Sequence, residues 1–178
     1  MAESTHDAIP AQARAFAIEH HGDQRYGDGP YVTHLDEVAE LIRAQLGGGA
    51  GDALLRTVAY LHDVVEDTPV TATQVAERFG AVVAGAVELL SDPPGANRKQ
   101  RKAALHARFE RTSPEDAAGR AALIVKAADR LANVRACVAN GDARLAMYAD
   151  EHPAFRGAVH RPGLCDAVWS ELDALVAR

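Results

Sequence analysis

The sequence predicts an all-α fold, and three observations carry that prediction. About a fifth of the residues are alanine, the strongest helix former. Aromatic residues make up only 5% of the chain, and period-two runs of β-branched residues are hard to find. Apolar residues recur instead at spacings of three and four between capping residues and glycines, marking out about seven to nine helices. Thr33-His34-Leu35-Asp36 resembles a capping box with Asp at its last position. It opens a helix with Leu35, Val38, Ala39, Ile42 and Leu46 on one side, stopped by Gly47-Gly48-Gly49. Asp52 caps the next helix, which carries Leu54, Leu55, Val58, Ala59 and Leu61. That helix is expected to run to about Thr68-Pro69, because proline disfavours helical geometry in the residue before it.

A short helix between Thr71 and Phe79 ends at Gly80, and an apolar one follows with Val82, Val83, Val87 and Leu90. Ser91-Asp92-Pro93-Pro94-Gly95 is the clearest interior loop. A basic helix spans roughly Asn97 to Arg111. Ser113-Pro114-Glu115-Asp116 reads as a helix start, with Ser as cap, Pro at the first helical position and acids in the first turn. The long helix it opens reaches Asn140-Gly141, and two or three more, containing Trp169, Leu172 and Leu175, complete the chain.

At 178 residues, with no internal repeat and no dividing linker, residues 1–178 are expected to form a single domain. The net charge of −6 argues against a general binder of nucleic acid or anionic membrane. No apolar run approaches the roughly 18 residues that cross a bilayer. The first seven residues lack the basic start and apolar stretch of a signal peptide. Cys137 and Cys165 are too few for a metal quartet and read as reduced thiols of a cytoplasmic protein. Monomer and homo-oligomer are equally compatible with this sequence.

The segment Tyr60 to Thr68 concentrates the chemistry. His62, Asp63, Glu66 and Asp67 lie at the end of an apolar helix, paired at spacings of four. Three carboxylates in five residues repel one another, and a bound cation offsets that repulsion while using imidazole and carboxylate as ligands. In the strongly apolar segment Leu123 to Asn133, Lys126, Asp129 and Asn133 share one stripe. An Asp in such surroundings is expensive to bury unless it is paired or bound to metal. His34, after the Gly-Pro-rich stretch Gly27 to Pro30, gains its weight from that company.

These residues resemble a known family. His34, His62-Asp63 and a distant Asp129 match the metal signature of HD-domain phosphohydrolases. Leu61 to Thr68, Lys126 to Asn133, and Gln24-Arg25 followed by Gly29 to His34 look like the hydrolase domain of the RelA/SpoT family, in particular its hydrolase-only small alarmone hydrolases. The resemblance covers roughly Ala8 to Cys137. It implies a single HD-domain helical bundle with His34, His62, Asp63 and Asp129 as ligands of one divalent metal. In the family this metal is typically Mn²⁺, while two imidazoles with two carboxylates also suit Fe, Co or Zn.

It further implies Glu66 and Asp67 as catalytic acids, Arg25 against the nucleobase, and Asn133, more weakly Lys126, on the nucleotide. The implied reaction removes the 3′-pyrophosphate of ppGpp or pppGpp, giving GDP or GTP plus pyrophosphate. Tyr26 stands where many relatives carry a basic residue. It joins the substrate-binding set but leaves guanine and adenine nucleotides both open. The alternatives are the same chemistry on a ppApp-type alarmone or the 2′-phosphate of NADPH, and a nucleotide-binding module without turnover. The Arg98-Lys99-Gln100-Arg101-Lys102 run reads first as a solvated basic face, with Arg98 and Arg101 on substrate phosphates as the alternative.

Overall fold

A computed structural model describes residues 5–46 and 51–177. The chain runs α1 (Thr5–His21), a minimal hairpin of β1 (Arg25–Tyr26) and β2 (Gly29–Pro30), then α2 (Val32–Leu46), α3 (Asp52–Leu61) and α4 (Val64–Asp67). It continues with α5 (Ala72–Phe79), α6 (Ala81–Leu90), α7 (Arg98–Glu110), α8 (Ala117–Asn140), α9 (Arg144–Val159) and α10 (Asp166–Val176). The described residues thus form an all-α bundle in which α4 is a single turn. The two strands pair antiparallel, Arg25 with Pro30 and Tyr26 with Gly29. Gly27 in their turn has φ 57°, a conformation that costs glycine little and other residues more.

The bundle is organised around α8. Residues 121–128 are all buried, Lys126 included, because α2, α3, α6, α9 and α10 pack around this helix. Alanine explains the close approach: Ala121, Ala122, Ala127, Ala128 and Ala132 bring neighbouring backbones near, and Leu123, Leu131, Phe109, Phe155 and Trp169 fill the remaining space. The start of α8 lies at Asp116, whose carboxylate accepts from Gly119 N at 2.7 Å; Ser113 instead accepts from Glu115 N in the preceding turn. Gly141 ends the helix in the left-handed conformation, φ 61° and ψ 33°.

Two other starts differ by a residue or two from the sequence expectation. α2 begins at Val32, so Thr33 is already helical, and its hydroxyl donates to Pro30 O. The α3 cap position is Gly51, with Asp52 inside the first turn paired to Arg56. The α5 start falls at Thr71 as expected, and there Thr71 forms a full capping box with Gln74. The stop expected at Gly47-Gly48-Gly49 and the first four residues lie outside the described residues.

The helix expected from Asp52 to Thr68 is interrupted at His62-Asp63. His62 Nδ1 donates at 2.7 Å to Ala59 O, the carbonyl that a continuing helix offers to the Asp63 N–H. Asp63 then takes φ −104° and ψ −3°, and one further turn follows as α4. The break is local, since Asp67 N still bonds to Asp63 O at 2.9 Å.

Candidate active site

The break brings the His62-Asp63 turn against α2 and α8. His34 on α2 and His62 are 2% and 0% exposed, and Asp129 on α8 projects between them. His34 Nε2 lies 3.3 Å from Asp129 Oδ1, and His62 Nε2 lies 3.8 Å from the same oxygen. Asp63 Oδ2 is 3.0 Å from His62 Nε2. Donors that share one ion at about 2.1 Å are themselves about 3–3.5 Å apart, so His34, His62 and Asp129 lie near the spacing of ligands around one ion, with Asp63 beside them. Ala59 O takes the Nδ1 proton of His62 and turns Nε2 towards the carboxylates. Nε2 is buried and lies at ion-pair distance from Asp63 Oδ2 without a well-aligned hydrogen bond. A buried imidazole nitrogen aimed between two carboxylates fits a divalent cation, which would take the place of its proton.

The electrostatics agree. Burial alone disfavours the ionised forms of Asp63 and Asp129. His62 nevertheless holds Asp63 below the usual carboxylate range, and Lys126 with His34 and His62 does the same for Asp129. Burial also opposes a charged His62, yet Asp63 and Asp129 push it up to about 9. Lys126 Nζ reaches Asp129 Oδ2 at 3.2 Å, and Asn133 Nδ2 donates to Asp129 Oδ1 at 2.7 Å. These two neighbours, one turn to either side, set the carboxylate's rotation.

A cleft of about 160 Å³ opens from the cluster, lined among others by Tyr26, Asp63, Glu66, Arg98, Lys102, Lys126, Asp129 and Asn133. Glu66 accepts from Asp92 N at 2.8 Å, and partial burial raises its carboxyl despite that bond. Asp67 is exposed, bonded to Gln24 at 2.8 Å, and is not part of this lining. Tyr26 stacks on His34 (centroids 4.7 Å apart, 25°) and donates to Asn133 Oδ1 at 3.0 Å. Arg25 is exposed beside it on the hairpin and donates to Asp28 O, outside the cleft lining.

In the basic run of α7, Arg98, Arg101 and Lys102 are ion-paired, while Lys99 is exposed. Arg98 bonds Glu151 at 2.8 and 3.0 Å, and Lys102 bonds Asp92 at 2.8 and 2.9 Å. Arg101 lies 3.6 Å from Asp92 and outside the cleft, while Arg108 donates to Glu88 O and Ser91 O at the end of α6. Sequence reasoning did not find Tyr31, Arg130 or Tyr148, all of which line the cleft. Arg130 lies between the faces of Tyr148 and Phe155, 4.7 and 4.3 Å from their centroids, and reaches Glu151 at 3.3 Å. Its neighbour Asp129 would suggest pairing, but adjacent helix positions point about 100° apart. Tyr148 packs on the core with one edge and faces the cleft with the other.

A helical bundle with a buried His-His-Asp cluster at a broken helix defines a class, and the chain belongs to it: the HD-domain family matches residues 13–154. Within that family it is related to RelA/SpoT-type ppGpp hydrolases, including hydrolase-only members. It is 34% identical over 137 residues to the guanosine-3′,5′-bis(diphosphate) 3′-pyrophosphohydrolase MESH1 of Xenopus tropicalis, covering 74% of this chain and 71% of that protein. It is 35% identical over 125 residues to a probable guanosine-3′,5′-bis(diphosphate) 3′-pyrophosphohydrolase of Synechocystis, covering 70% of this chain but only 16% of that longer protein. A solved structure of a metazoan orthologue of SpoT, described as hydrolysing ppGpp, superposes with a TM-score of 0.73 at 22% identity, covering 98% of this chain and 97% of that one. That likeness shows the fold. Among the described residues, no helix is long and apolar enough to cross a membrane.

Proposed function

We propose that this chain is a metal-dependent phosphohydrolase that removes the 3′-pyrophosphate of guanosine alarmones, converting ppGpp and pppGpp to GDP and GTP plus pyrophosphate. The observation that carries the reading is the buried Nε2 of His62 turned towards Asp63 and Asp129 beside His34. His34, His62, Asp63 and Asp129 hold one divalent ion, which we take to be Mn²⁺ as in the family. When bound, such an ion acidifies water and polarises a phosphoryl oxygen. Residues 1–178 act as one catalytic domain, and the free thiols of Cys137 and Cys165 accord with a cytoplasmic setting.

The protein's own groups supply the rest. Lys126 and Asn133 hold Asp129 and meet the phosphoryl end of the substrate. Glu66, whose carboxyl retains its proton to higher pH than an ordinary glutamate, delivers a proton to the departing ribose 3′ oxygen. Asp67, held from the outer side by Gln24, orients the attacking water. A volume of about 160 Å³ is below the roughly 300–1,000 Å³ of whole-ligand pockets, so the inner cleft takes the pyrophosphate end. The nucleoside then lies along the hairpin, with Arg25 stacked on the base. Arg98, beside Lys102, faces the remaining phosphates, with Arg101 behind them.

The test pairs elemental analysis of the purified protein with turnover of ppGpp, pppGpp, ppApp and NADPH after Mn²⁺ loading. Release of pyrophosphate from the guanine alarmones is expected. Turnover confined to ppApp or NADPH would move the substrate, and tight nucleotide binding without turnover on all four would refute the hydrolase reading.

A further inference from the structure

Tyr31 and His21 have no role in the mechanism above, and Gln24 only touches it. Yet the three form one connected frame beneath the site. The Tyr31 hydroxyl donates to Asp63 Oδ2. Its ring stacks on the His21 imidazole, centroids 4.5 Å apart at 29°, and meets His34 edge-on at 5.8 Å. Gln24 Nε2 donates to Asp67 Oδ2 at 2.8 Å, and Gln24 Oε1 lies 2.8 Å from His21 Nδ1. An amide oxygen only accepts, so His21 carries a proton on Nδ1. His21 is 7% exposed, which fixes its ring in place. The main chain closes the same triangle: Gln24 N bonds His21 O and Tyr31 N bonds Gln24 O, each at 3.0 Å.

We propose that His21, Gln24 and Tyr31 are positioning residues with two separable outputs. Through Tyr31 the frame sets the orientation of Asp63 towards the metal position. Through Gln24 it sets the orientation of Asp67 towards the water. The inference rests on the hydrolase reading for its Asp67 arm and on the ligand set alone for its Asp63 arm. Aspartate turns about two torsions, and a fixed donor on one oxygen selects one orientation from several. Partners behind a metal ligand typically set affinity or activity by about 10–100-fold. One buried imidazole supports both arms, one by stacking and one by hydrogen bonding, so substitutions at His21 separate them.

The experiment compares Tyr31→Phe, Gln24→Glu and His21→Phe, measuring Mn²⁺ affinity by electron paramagnetic resonance, kcat and KM at saturating Mn²⁺, and the metal-free melting temperature. Tyr31→Phe keeps the ring stack and removes the donor. It is expected to weaken Mn²⁺ binding about 10–100-fold while kcat recovers at saturating metal. Gln24→Glu keeps the His21 contact and loses the donor to Asp67. It is expected to keep Mn²⁺ affinity and KM while kcat falls about 10–100-fold. His21→Phe keeps the stack and loses Nδ1, and is expected to follow Gln24→Glu. Parental Mn²⁺ affinity in Tyr31→Phe, or parental kcat in Gln24→Glu, overturns the corresponding arm. Equal losses in all three variants together with lowered metal-free melting temperatures overturn the proposal in favour of a merely structural frame. Absence of turnover in the parent protein overturns the hydrolase reading and the Gln24 arm with it, while Mn²⁺ affinity alone still decides the Tyr31 arm.

Discussion

Replacing Glu151 with alanine tests how the cationic wall of the cleft is held. Glu151, on α9, accepts from Arg98 of α7 and from Arg130 of α8. The Arg130 side chain is 7% exposed against 42% for Arg98, so the Arg130 half dominates the energetics. Removing one partner of a buried pair costs about 3–5 kcal/mol, because the other charge stays desolvated. Here the Glu151 side chain is 23% exposed, which admits water to the vacated position. Arg130 also keeps the aromatic faces of Tyr148 and Phe155. The cost is therefore expected at about 2–3 kcal/mol, with the exposed Arg98 half contributing less than about 1 kcal/mol. For a chain of this length each kcal/mol moves the melting temperature about 2–4 °C, so a fall of about 5–10 °C is expected. Urea titration followed by circular dichroism measures the loss at constant slope. The double variant Glu151→Ala with Arg130→Met removes both charges and should recover most of the stability. A loss below about 0.5 kcal/mol for Glu151→Ala, or no recovery in the double variant, would refute the reasoning.

The other expectations concern the metal and the substrate. Glu66→Gln and Asp67→Asn should each retain the metal by elemental analysis while turnover falls about 10²–10⁴-fold; full turnover in a metal-loaded double variant rules out their role. His62 is pushed up to about 9 from an ordinary value of about 6.5. The metal-free fold therefore holds this proton more tightly than the unfolded chain does. Its contribution to stability is whole below about pH 6.5 and is lost as pH rises through about 9, which urea midpoints across that window check. A ligating imidazole is neutral, so Mn²⁺ uptake at pH 7.5 should release a proton, measured by calorimetry in buffers of different ionisation enthalpy. Neutralising Arg98, Arg101 and Lys102 together should raise KM for ppGpp more at low salt than at high; an equal effect at both would remove them from phosphate contact.

The helical fold was legible because helix signals are local. Thr71, Asn97, Gly80 and Gly141 each act within one turn, and the structure uses them at or within a residue of the expected places. What was not legible depended on competition between side chain and backbone, or on distant partners. The His62 ring takes the Ala59 carbonyl and breaks a helix whose apolar spacing gives no warning. Asp116 outcompetes Ser113 because its carboxylate reaches the Gly119 N–H in the first turn of α8. The proposed ligands were readable because ionisable groups amid apolar sequence demand partners. Glu151 was not, because an acidic residue on a mixed helix such as α9 carries no such tension until Arg98 and Arg130 are brought to it. Tyr31 stood in plain view within a motif, but its bond to Asp63 crosses 32 positions in sequence.

The helix that fills the middle of the molecule also furnishes Asp129 and, one turn before it, a largely buried lysine at the floor of the cleft. That ammonium serves as a resident counterion, so the nest of carboxylates carries compensating charge before any divalent ion arrives. Sliding α8 by a single residue would turn both groups away by about 100° and leave each stranded in hydrocarbon. Assembly of the interior and assembly of the reactive floor are thus one event. A chain that has collapsed with this helix out of register is without both its core and its appetite for metal.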